Sequence, residues 1–202
     1  MYQKKLKRII DFISSLIVII ILIPLVFSIA ILLFFANDGK VFFRQPRPGK
    51  NEKIFYVFKF KSMTEEKDAS GKLLPDQQRL TKMGRFIRKT SLDELPQLLN
   101  VLLGDMSFVG PRPLLIRYLP YYTPEERIRH SVRPGITGLA QVSGRNNSNW
   151  DERLQNDVFY VKNLSFIKDV KILMKTAKKV LLREDVNVAA GSENIDLDDY
   201  RK

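Results

Sequence analysis

Residues 12–36 read FISSLIVIIILIPLVFSIAILLFFA, and this stretch decides what kind of fold the chain can adopt. None of its 25 residues is charged, and most of them are Ile, Leu, Val or Phe. As an α-helix the stretch would be roughly 37 Å long at about 1.5 Å per residue, enough to cross the ~30 Å hydrocarbon core of a bilayer. The sequence therefore predicts a membrane-associated protein.

Pro24 divides this stretch into two halves of twelve residues, a length typical of re-entrant segments. Because proline lacks a backbone N–H and its ring clashes with the preceding turn, we expect a helix-break-helix wedge here. Basic residues flank the stretch on both sides, so the positive-inside bias draws both ends to the cytoplasmic side. These residues are Lys4, Lys5, Lys7 and Arg8 before it, and Lys40, Arg44, Arg47, Lys50 and Lys53 after it.

Two other interpretations of the stretch are a single membrane span kinked at Pro24 and a cleaved signal peptide. Kinked spans are common, so the first alternative stays open. Residues 28–30, Ser-Ile-Ala, resemble a signal-peptide cleavage site, but the apolar run continues beyond them and is too long for a signal peptide.

The composition limits the chemistry that the chain can perform. It has 202 residues, no cysteine and a single histidine, His130. This excludes a disulfide framework, a zinc-thiolate site and a thiol nucleophile, and it argues against a histidine-based triad or metal site. Carboxylates must therefore do any acid, base, nucleophile or metal-binding work.

The formal net charge is +12, and it is unevenly distributed along the chain. Residues 184–202 hold six acids and two bases, a net charge of −4, so residues 1–183 carry +16. A body this basic is expected to bind a polyanion such as nucleic acid, anionic lipid or the phosphates of a nucleotide. The acidic, polar residues 184–202 are predicted to form a mobile tail.

Residues 90–97, TSLDELPQ, place two carboxylates, Asp93 and Glu94, side by side before an apolar run. A helix is expected to begin here. Either Ser91 caps it, with Glu94 completing a capping box, or the residue before Pro96 caps it and Pro96 is its first residue. In both cases the carboxylates lie near the positive helix end, which keeps them ionised and attracts phosphate oxygens. We interpret the pair as the chemical centre, although ordinary capping acids give the same pattern.

Cations on restricted backbone surround this centre in the sequence. Residues 54–61 form a strand-like run in which two-residue alternation places Lys59 and Lys61 on one face. Arg112 lies between two prolines, which restrict the backbone and suit a fixed, bidentate phosphate contact. A further basic row comprises Arg79, Lys82, Arg85 and Arg88. Each of these features also fits an ordinary solvated surface.

Three further segments have open interpretations. Residues 133–145 contain three glycines and end in Arg145, a pattern in which backbone amides approach phosphate or ribose. Residues 114–122 mix apolar and tyrosine side chains, as is common at a membrane interface. Residues 164–183 predict a basic amphipathic helix that either lies on the bilayer or covers the domain core.

Together these segments predict an α+β fold: a mainly helical, small membrane-associated domain with a short β element. Its expected parts are a re-entrant membrane segment at residues 1–36, a cytoplasmic catalytic domain at 37–183 and a polar acidic tail at 184–202. The helix that follows residue 96 is expected to end at Gly104, because glycine is a common C-terminal signal.

Several blocks of the chain together resemble one family. They are residues 7–11 (KRIID), 58–63 (FKFKSM), 90–97 (TSLDELPQ), 104–113 (GDMSFVGPRP), 133–138 (RPGITG) and 144–145 (GR). The combination, which extends over nearly the whole chain, is similar to the monotopic bacterial polyprenyl-phosphate phosphoglycosyl transferases, the bacterial sugar transferase group. The short length and the detailed sequence of these blocks are most similar to the initiating enzyme of bacterial protein N-glycosylation, which acts on a UDP-linked diacetamido sugar.

This resemblance implies transfer of a phosphosugar from a UDP-sugar to polyprenyl phosphate at the cytoplasmic face of the bacterial inner membrane, with release of UMP and with Mg²⁺ as cofactor. It implies that Asp93 is the nucleophile that carries an aspartyl-phosphosugar intermediate, and that Asp93 and Glu94 bind the metal. The implied phosphate or nucleotide contacts are Lys59, Arg88, Arg112 and Arg145, with Asp157 as a further polar candidate. The implied partners are the UDP-sugar, polyprenyl phosphate and membrane lipids, and no nucleic acid is expected.

One residue departs from the family pattern. The family often has Ser-Pro at the membrane break, whereas this chain has Ile23 before Pro24, so a hydrogen bond from that serine cannot hold the bend here. An alternative from another class is a membrane-anchored nucleic-acid-binding or scaffold protein, which would also explain the charge of +16 on residues 1–183.

Overall fold

The computed structural model describes residues 2–143, 149–182 and 195–202. The chain is mostly helical with small β elements, which confirms the predicted mixture. Its helices are α1 (Lys7–Ala36), α2 (Asp76–Arg79), α3 (Lys82–Lys89), α4 (Gln97–Leu103), α5 (Leu139–Ser143), α6 (Trp150–Lys162), α7 (Phe166–Leu182) and α8 (Leu197–Tyr200). Its strands are β1 (Phe42–Pro48), β2 (Ile54–Phe60), β3 (Ser107–Val109) and β4 (Gly135–Thr137). A π-helical turn covers Tyr2–Leu6, and 3-10 turns cover Lys50–Glu52, Leu92–Glu94, Ile116–Tyr121 and Glu126–Ser131.

α1 runs without interruption through Pro24, so the predicted break in the helical backbone does not occur. A proline inside a helix removes one backbone hydrogen bond, and the Ser28 hydroxyl adds one by donating to the Pro24 carbonyl oxygen at 2.8 Å. Large apolar side chains in the middle of the helix, including those of Ile21 and Phe27, are exposed. Among the described residues, α1 is the one helix long and apolar enough to cross a membrane. This surface indicates membrane association.

The N-terminal end of α1 is fixed to the body of the protein by hydrogen bonds. The Arg8 guanidinium donates to the carbonyl oxygens of Val101 and Leu102, at 2.6 and 2.8 Å. The last carbonyls of a helix such as α4 have no partner within the helix itself, so the arginine satisfies them. The buried Asp11 carboxylate accepts a hydrogen bond from the Ser107 hydroxyl of β3 at 2.7 Å. This end of α1 therefore lies against α4 and β3.

The C-terminal end of α1 packs against the same body. Leu33 is fully buried in a cluster with Phe60 of β2 and Ile87 of α3. Just after the helix, the Asn37 side-chain amide donates to the carbonyl oxygen of Lys61 at 2.7 Å. Both ends of this 30-residue helix are therefore anchored to one domain.

β1 and β2 form an antiparallel hairpin, and β3 pairs with β4 in parallel. In the hairpin, Phe43 lies opposite Lys59, and Arg47 lies opposite Phe55. Side chains of paired residues share a face of the sheet, and alternate residues along a strand point to the same face. The face that carries Lys59 also buries Phe55 and Val57 against α4. This face is therefore the inner face of the hairpin.

α4 is fixed against β2 by a buried side chain. The Asn100 amide accepts from the Phe58 backbone N–H at 3.0 Å and donates to the Tyr56 carbonyl oxygen at 2.8 Å. The helix ends at Gly104, whose φ of +93° is left-handed and whose N–H donates to the Asn100 carbonyl oxygen at 3.0 Å. The predicted end of this helix is confirmed. Because α4 is held at this point on β2, the residues just before α4 are placed relative to Lys59 of β2.

α7 is the predicted amphipathic helix, and it joins three parts of the chain through one buried carboxylate. Asp169 accepts hydrogen bonds from Lys7 at 2.5 Å, from the Tyr2 hydroxyl at 2.6 Å and from the Tyr160 hydroxyl of α6 at 2.7 Å. Ile172 packs in the core, whereas other large apolar side chains of α7 are exposed, namely Phe166, Ile167, Leu173, Met174 and Leu181. Most of the apolar surface of α7 does not cover the core, which favours the interpretation that the helix lies on the bilayer.

The prediction of a mobile tail is wrong for residues 195–202. Leu197 of α8 is fully buried, and the Arg201 guanidinium binds Glu126 at 2.7 Å and Asp151 at 2.6 Å. Composition alone could not show this docking, because it depends on two side chains, Leu197 and Arg201, in a segment that is otherwise acidic. The other residues of the predicted tail, 184–194, lie outside the described residues.

The prediction that residues 114–122 lie at a membrane interface is also wrong for the tyrosines that suggested it. Tyr118 and Tyr122 are buried in a cluster with Leu154 and Leu197. The Tyr118 ring also meets the Trp150 ring edge to face, with centroids 5.4 Å apart. These aromatic side chains form the core under α8.

Candidate active site

The two candidate carboxylates lie in the 3-10 turn Leu92–Glu94, shortly before α4. Ser91 enters this turn with a φ of +55°, a left-handed conformation that is uncommon for residues other than glycine. The Ser91 side chain makes no capping hydrogen bond, so the predicted capping box does not form. Pro96 occupies the cap position of α4, so neither predicted helix start is right. The capping box fails because the Glu94 side chain is held by Lys59 and Arg112 and does not reach back to Ser91.

Glu94 lies between two cations that come from distant parts of the chain. Its Oε1 atom accepts a hydrogen bond from Lys59 Nζ at 2.9 Å and another from Arg112 Nη2 at 2.8 Å. Asp93 Oδ2 lies 3.9 Å from the same lysine nitrogen. β2 positions the lysine, and the proline-flanked turn after β3 positions the arginine. The fold thus brings together the carboxylate pair and two of the cations that the sequence singled out.

The protein shifts the pKa values of the two carboxylates in opposite directions. Burial raises the pKa of Asp93 above its ordinary value; Lys59 opposes this effect and the neighbouring negative charge of Glu94 adds to it. Burial also acts to raise the pKa of Glu94, but the charges and hydrogen bonds of Arg112 and Lys59 outweigh it and hold that pKa well below its usual range. Glu94 is therefore a fixed anion. Asp93 is a desolvated, more basic carboxylate, as a nucleophile or general base needs to be.

Arg88 of α3 adds a third cation beside the pair. Its Nε atom donates to the Ser62 hydroxyl at 2.9 Å, and its charge acts to lower the pKa of Asp93. The arginine is thus held by a neutral partner, which leaves its positive charge available to an anion. Arg145 lies outside the described residues, so its phosphate contact stays a prediction.

Two other cations of the predicted basic surface have acidic partners inside the domain. Lys61, placed by alternation beside Lys59, binds Glu65 at 2.7 Å. Arg79 binds Asp76 at 2.5 Å. Both of these cations are therefore already paired with an acid.

Asp93 and Glu94 also fit a divalent cation. Within the described residues, both hydrogen bonds of the Glu94 carboxylate go to Oε1, which leaves Oε2 for another ligand. Mg²⁺ prefers carboxylate oxygens and is commonly held by one or two of them together with phosphate oxygens. The donor set is therefore of the right chemical kind for this metal.

Asp157 has a different place from the one expected for a direct substrate contact. It is buried in α6, and its Oδ2 atom accepts hydrogen bonds from Arg129 Nε at 3.1 Å and Nη2 at 2.9 Å. Arg129 Nη2 also donates to the backbone carbonyl oxygen of Arg112 at 2.7 Å. Because both charges of the pair are enclosed, Asp157 acts through Arg129 on the backbone that carries Arg112.

Comparison with known proteins supplies the family. The family model described as bacterial sugar transferase matches residues 2–183. The chain belongs to the bacterial sugar transferase family. The uncharacterized sugar transferase EpsL of Bacillus subtilis is 50% identical over 182 residues, which cover 90% of this chain and 90% of EpsL.

Two relatives of this transferase carry named activities and are longer. The undecaprenyl-phosphate galactose phosphotransferase of Salmonella typhimurium is 41% identical over 89% of this chain, which spans 41% of that protein. The UDP-glucose:undecaprenyl-phosphate glucose-1-phosphate transferase of Klebsiella pneumoniae is 39% identical over 86% of this chain, which spans 39% of that protein. This family membership favours the transferase over the alternative of a nucleic-acid-binding or scaffold protein.

The glycines that suggested a phosphate-binding loop in the transferase serve close backbone packing instead. A Cβ atom on Gly135 would lie 2.1 Å from the backbone nitrogen of Gly110. The Gly135 N–H donates to the Pro111 carbonyl oxygen at 3.0 Å, and the Gly110 N–H donates to the Thr137 carbonyl oxygen at 2.9 Å. These amides are therefore already bonded within the domain. Gly144, the last glycine of the segment, lies outside the described residues.

Arg129 is the site residue that the sequence did not reveal. It lies in the 3-10 turn Glu126–Ser131, a short run of charged residues with no distinguishing spacing. Only its partners in space, the Asp157 carboxylate and the Arg112 carbonyl oxygen, show what it does.

Proposed function

We propose that this protein transfers a phosphosugar from a UDP-sugar to polyprenyl phosphate and releases UMP. The observation that carries the proposal is the unequal carboxylate pair: a desolvated Asp93 beside a Glu94 that is held by Lys59 and Arg112. Relatives named as undecaprenyl-phosphate sugar phosphotransferases support the same class of reaction.

Asp93 is the nucleophile of the first step. A bond forms between an Asp93 carboxylate oxygen and the sugar-linked phosphorus, while the bond from that phosphorus to the oxygen of the leaving UMP breaks. UMP departs with the electron pair, and the sugar phosphate stays on the enzyme as an aspartyl phosphosugar. The raised pKa of Asp93 fits this role, because a poorly solvated, more basic carboxylate is a better nucleophile.

Polyprenyl phosphate accepts the group in the second step. A phosphate oxygen of the lipid attacks the same phosphorus, the bond to Asp93 breaks, and the free carboxylate is restored. A covalent relay lets a soluble nucleotide sugar and a membrane-bound lipid use one small site in turn. It also needs no histidine, which suits a chain whose single histidine is buried.

The surrounding cations hold the phosphates during both steps. Arg112 and Lys59 lie on either side of Glu94, and Arg88 faces Asp93, so positive charge is fixed on several sides of the phosphorus. Mg²⁺ held by Asp93 and Glu94 would neutralise phosphate charge as a Lewis acid. Because Glu94 stays ionised, it keeps both cations in position throughout.

A UDP-diacetamido sugar is the donor that we propose, following the resemblance to enzymes that initiate bacterial protein N-glycosylation. Relatives are named for different sugars, galactose in Salmonella and glucose in Klebsiella, so one reaction class serves several donors. The reaction class alone therefore does not fix the sugar.

We place the protein on the cytoplasmic face of the bacterial inner membrane as a monotopic protein whose α1 is re-entrant. Support comes from the anchoring of both ends of α1: Arg8 and Asp11 bind α4 and β3, and Leu33 packs on Phe60. A straight 30-residue helix is about 45 Å long and would carry one end to the far side of the bilayer if it crossed. The re-entrant course therefore requires α1, which is continuous in this structure, to bend at Pro24 in the membrane. The exposed apolar residues of α7 supply a second membrane contact on the same domain.

UMP release across a panel of UDP-sugars, with polyprenyl phosphate and Mg²⁺, tests the proposed reaction. We expect UMP and a polyprenyl-diphosphate sugar in equal amounts, with the greatest rate for a UDP-diacetamido sugar. The Asp93→Asn variant is the matched control for contaminating activity. No UMP from any UDP-sugar would refute the proposal, and greatest activity with a simple hexose would refute the choice of donor.

Thiol labelling in intact cells tests the topology, because the chain has no cysteine of its own. One cysteine is introduced at Lys5, one at Lys40, or one at Lys72 as a reference on the catalytic domain. All three should react with an impermeant reagent only after the cells are opened. Labelling of the Lys5→Cys variant from outside, with Lys40→Cys protected, would show a single span.

A further inference from the structure

Arg47 is a half-buried arginine that has no acidic partner among the described residues. Its Nη2 atom donates to the Gln45 side-chain oxygen at 2.6 Å, and no carboxylate of the described residues lies within ion-pair distance of it. Burial lowers the pKa of Arg47 to about 10, and the positive charge of Arg112 acts in the same direction. Placing two guanidinium groups together without an acid for one of them is unfavourable, unless an anionic ligand completes the arrangement.

The hairpin register places Arg47 on the face that carries Lys59. Arg47 lies opposite Phe55 and Lys59 lies opposite Phe43, so the two basic side chains occupy the same inner face. They are four residues apart along the hairpin, or roughly 13 Å of strand. Arg44 is on the outer face, where its guanidinium stacks over the Phe58 ring at 5.0 Å.

Arg112 lies between these two positions. Through Glu94 it shares one carboxylate with Lys59, and its charge acts on Arg47. Pro48 and Gly49, which directly follow Arg47, line one cleft together with the turn that carries Arg112. The cations therefore form a row from Lys59 through Arg112 to Arg47.

We propose that Arg47 binds the nucleotide phosphate of the UDP-sugar, the group that leaves as UMP. This inference rests on the proposed function and extends it to a residue outside the carboxylate site. Asp93 attacks the sugar-linked phosphorus, so Lys59 and Arg88, the cations beside Asp93, lie at that phosphate. The next phosphate of the diphosphate lies one step along the row, between Arg112 and Arg47.

The chemistry of the leaving group explains why an arginine is needed there. When the bond between the sugar-linked phosphorus and the bridging oxygen breaks, UMP takes the electron pair and gains negative charge. A guanidinium presents several N–H donors in a plane, which match phosphate oxygens and neutralise that charge. Polyprenyl phosphate attacks from the side that UMP has left, so its phosphate enters the same position and meets the same arginine.

The test compares Arg47→Gln with Arg44→Gln in the purified full-length chain. The two substitutions remove the same charge from the same strand, one from the inner face and one from the outer face. The measurements are KM for the UDP-sugar, the inhibition constant of UMP, KM for polyprenyl phosphate, and UMP affinity by isothermal titration calorimetry at low and high salt.

We expect Arg47→Gln to raise KM for the UDP-sugar and the inhibition constant of UMP by about tenfold, the effect of losing one charge-assisted hydrogen bond. KM for polyprenyl phosphate should rise as well, because its phosphate takes the place of the departed UMP phosphate, whereas Arg44→Gln should behave as wild type in all four measurements. Calorimetry should show the same loss of UMP affinity without turnover. Arg47→Lys, which keeps the charge without the planar fork, should fall between the two.

Equal UMP affinity in Arg47→Gln and Arg44→Gln would overturn the assignment. If Arg47→Gln unfolds, the comparison of Arg47→Lys with Arg44→Lys replaces it, with the same expected order. A wild-type enzyme that releases no UMP would instead refute the proposed function, so the two failures are distinguishable.

Discussion

Two groups of charged residues lie next to each other in this protein, and they differ in balance and in access. In the first, one carboxylate oxygen of Glu94 serves both Lys59 and Arg112, and the Arg112 side chain is 43% exposed. In the second, Arg129 and Asp157 pair one to one, with side chains 1% and 5% exposed. With Asp93 and Arg88 included, the first group holds three cations for two carboxylates, and this excess suits an anionic ligand. A balanced, enclosed pair suits a structural task, here the placing of the Arg112 backbone.

The largest effect expected in the first group is that of Asp93→Asn. The amide keeps the shape of the side chain but is not a nucleophile, so the rate of UMP formation should fall on the order of 10⁴-fold. Circular dichroism and thermal unfolding should match the wild type, because Asp93 makes no short hydrogen bond in the described structure. An Asp93→Asn enzyme with substantial activity would move the chemistry to another group.

Breaking the Arg129–Asp157 pair should first of all lower the stability of the protein. Asp157→Ala leaves the Arg129 charge buried without a partner, and we expect the free energy of unfolding to fall by about 3–5 kcal/mol. Chemical unfolding in detergent measures this loss. A change below about 1 kcal/mol would place the pair among ordinary surface salt bridges.

The double variant Arg129→Met with Asp157→Leu separates positioning from stability. Replacing both charges with apolar groups should restore much of the stability, because no unpaired charge remains. The carbonyl oxygen of Arg112 would still lack its donor, so activity should stay low. Wild-type activity in a stable double variant would show that Arg129 does not position Arg112.

Arg112→Lys tests whether the first group needs the planar guanidinium and not only its charge. Lysine can keep an ion pair with Glu94 but cannot offer a bidentate contact to phosphate at the same time. We expect a loss of about 100-fold in kcat/KM, with normal folding, because charge-assisted contacts of this kind are worth about 1.5–3 kcal/mol. Steady-state UMP release gives the value, and Arg44→Lys is the matched control. Near-normal turnover would exclude the bidentate contact.

A smaller effect concerns His130, which lies beside the second group. Burial, together with the positive charge of Arg129, lowers the pKa of His130 to about 4. The unfolded chain, with an ordinary pKa near 6.5, binds the proton more strongly. Stability from the neutral histidine is therefore present above about pH 6.5 and is lost as the pH falls towards 4.

We expect wild type to lose roughly 2 kcal/mol more stability than His130→Phe between pH 7 and pH 5. Phenylalanine keeps the contact with Tyr122 and has no titrating group. Chemical unfolding of both proteins at the two pH values checks this difference. If the stability of both proteins changed equally with pH, the His130 side chain would be open to water.

Sequence patterns predicted those parts of the molecule that are governed by local chemistry. Three features could be read from neighbouring residues alone. They are the apolar run of α1, the end of α4 at Gly104 and the adjacent carboxylates Asp93 and Glu94. The α+β class follows from the same local preferences.

Long-range partners account for what the sequence did not show. The left-handed turn at Ser91 follows from the attraction of Glu94 to Lys59 and Arg112, which come from other elements. The docking of residues 195–202 depends on the burial of a single leucine, and the role of Arg129 depends on a partner 28 residues away. None of these pairings leaves a periodic signal.

Trapping of the sugar phosphate on the enzyme shows whether Asp93 forms a covalent aspartyl phosphosugar. Enzyme is mixed with UDP-sugar in the absence of polyprenyl phosphate, and UMP is measured together with the mass of the peptide that contains Asp93. We expect one UMP released per active enzyme and a phosphosugar adduct on Asp93, with neither seen in Asp93→Asn. UMP that appears only when polyprenyl phosphate is added, with no adduct on the peptide, would exclude the covalent intermediate and show direct transfer between the two substrates.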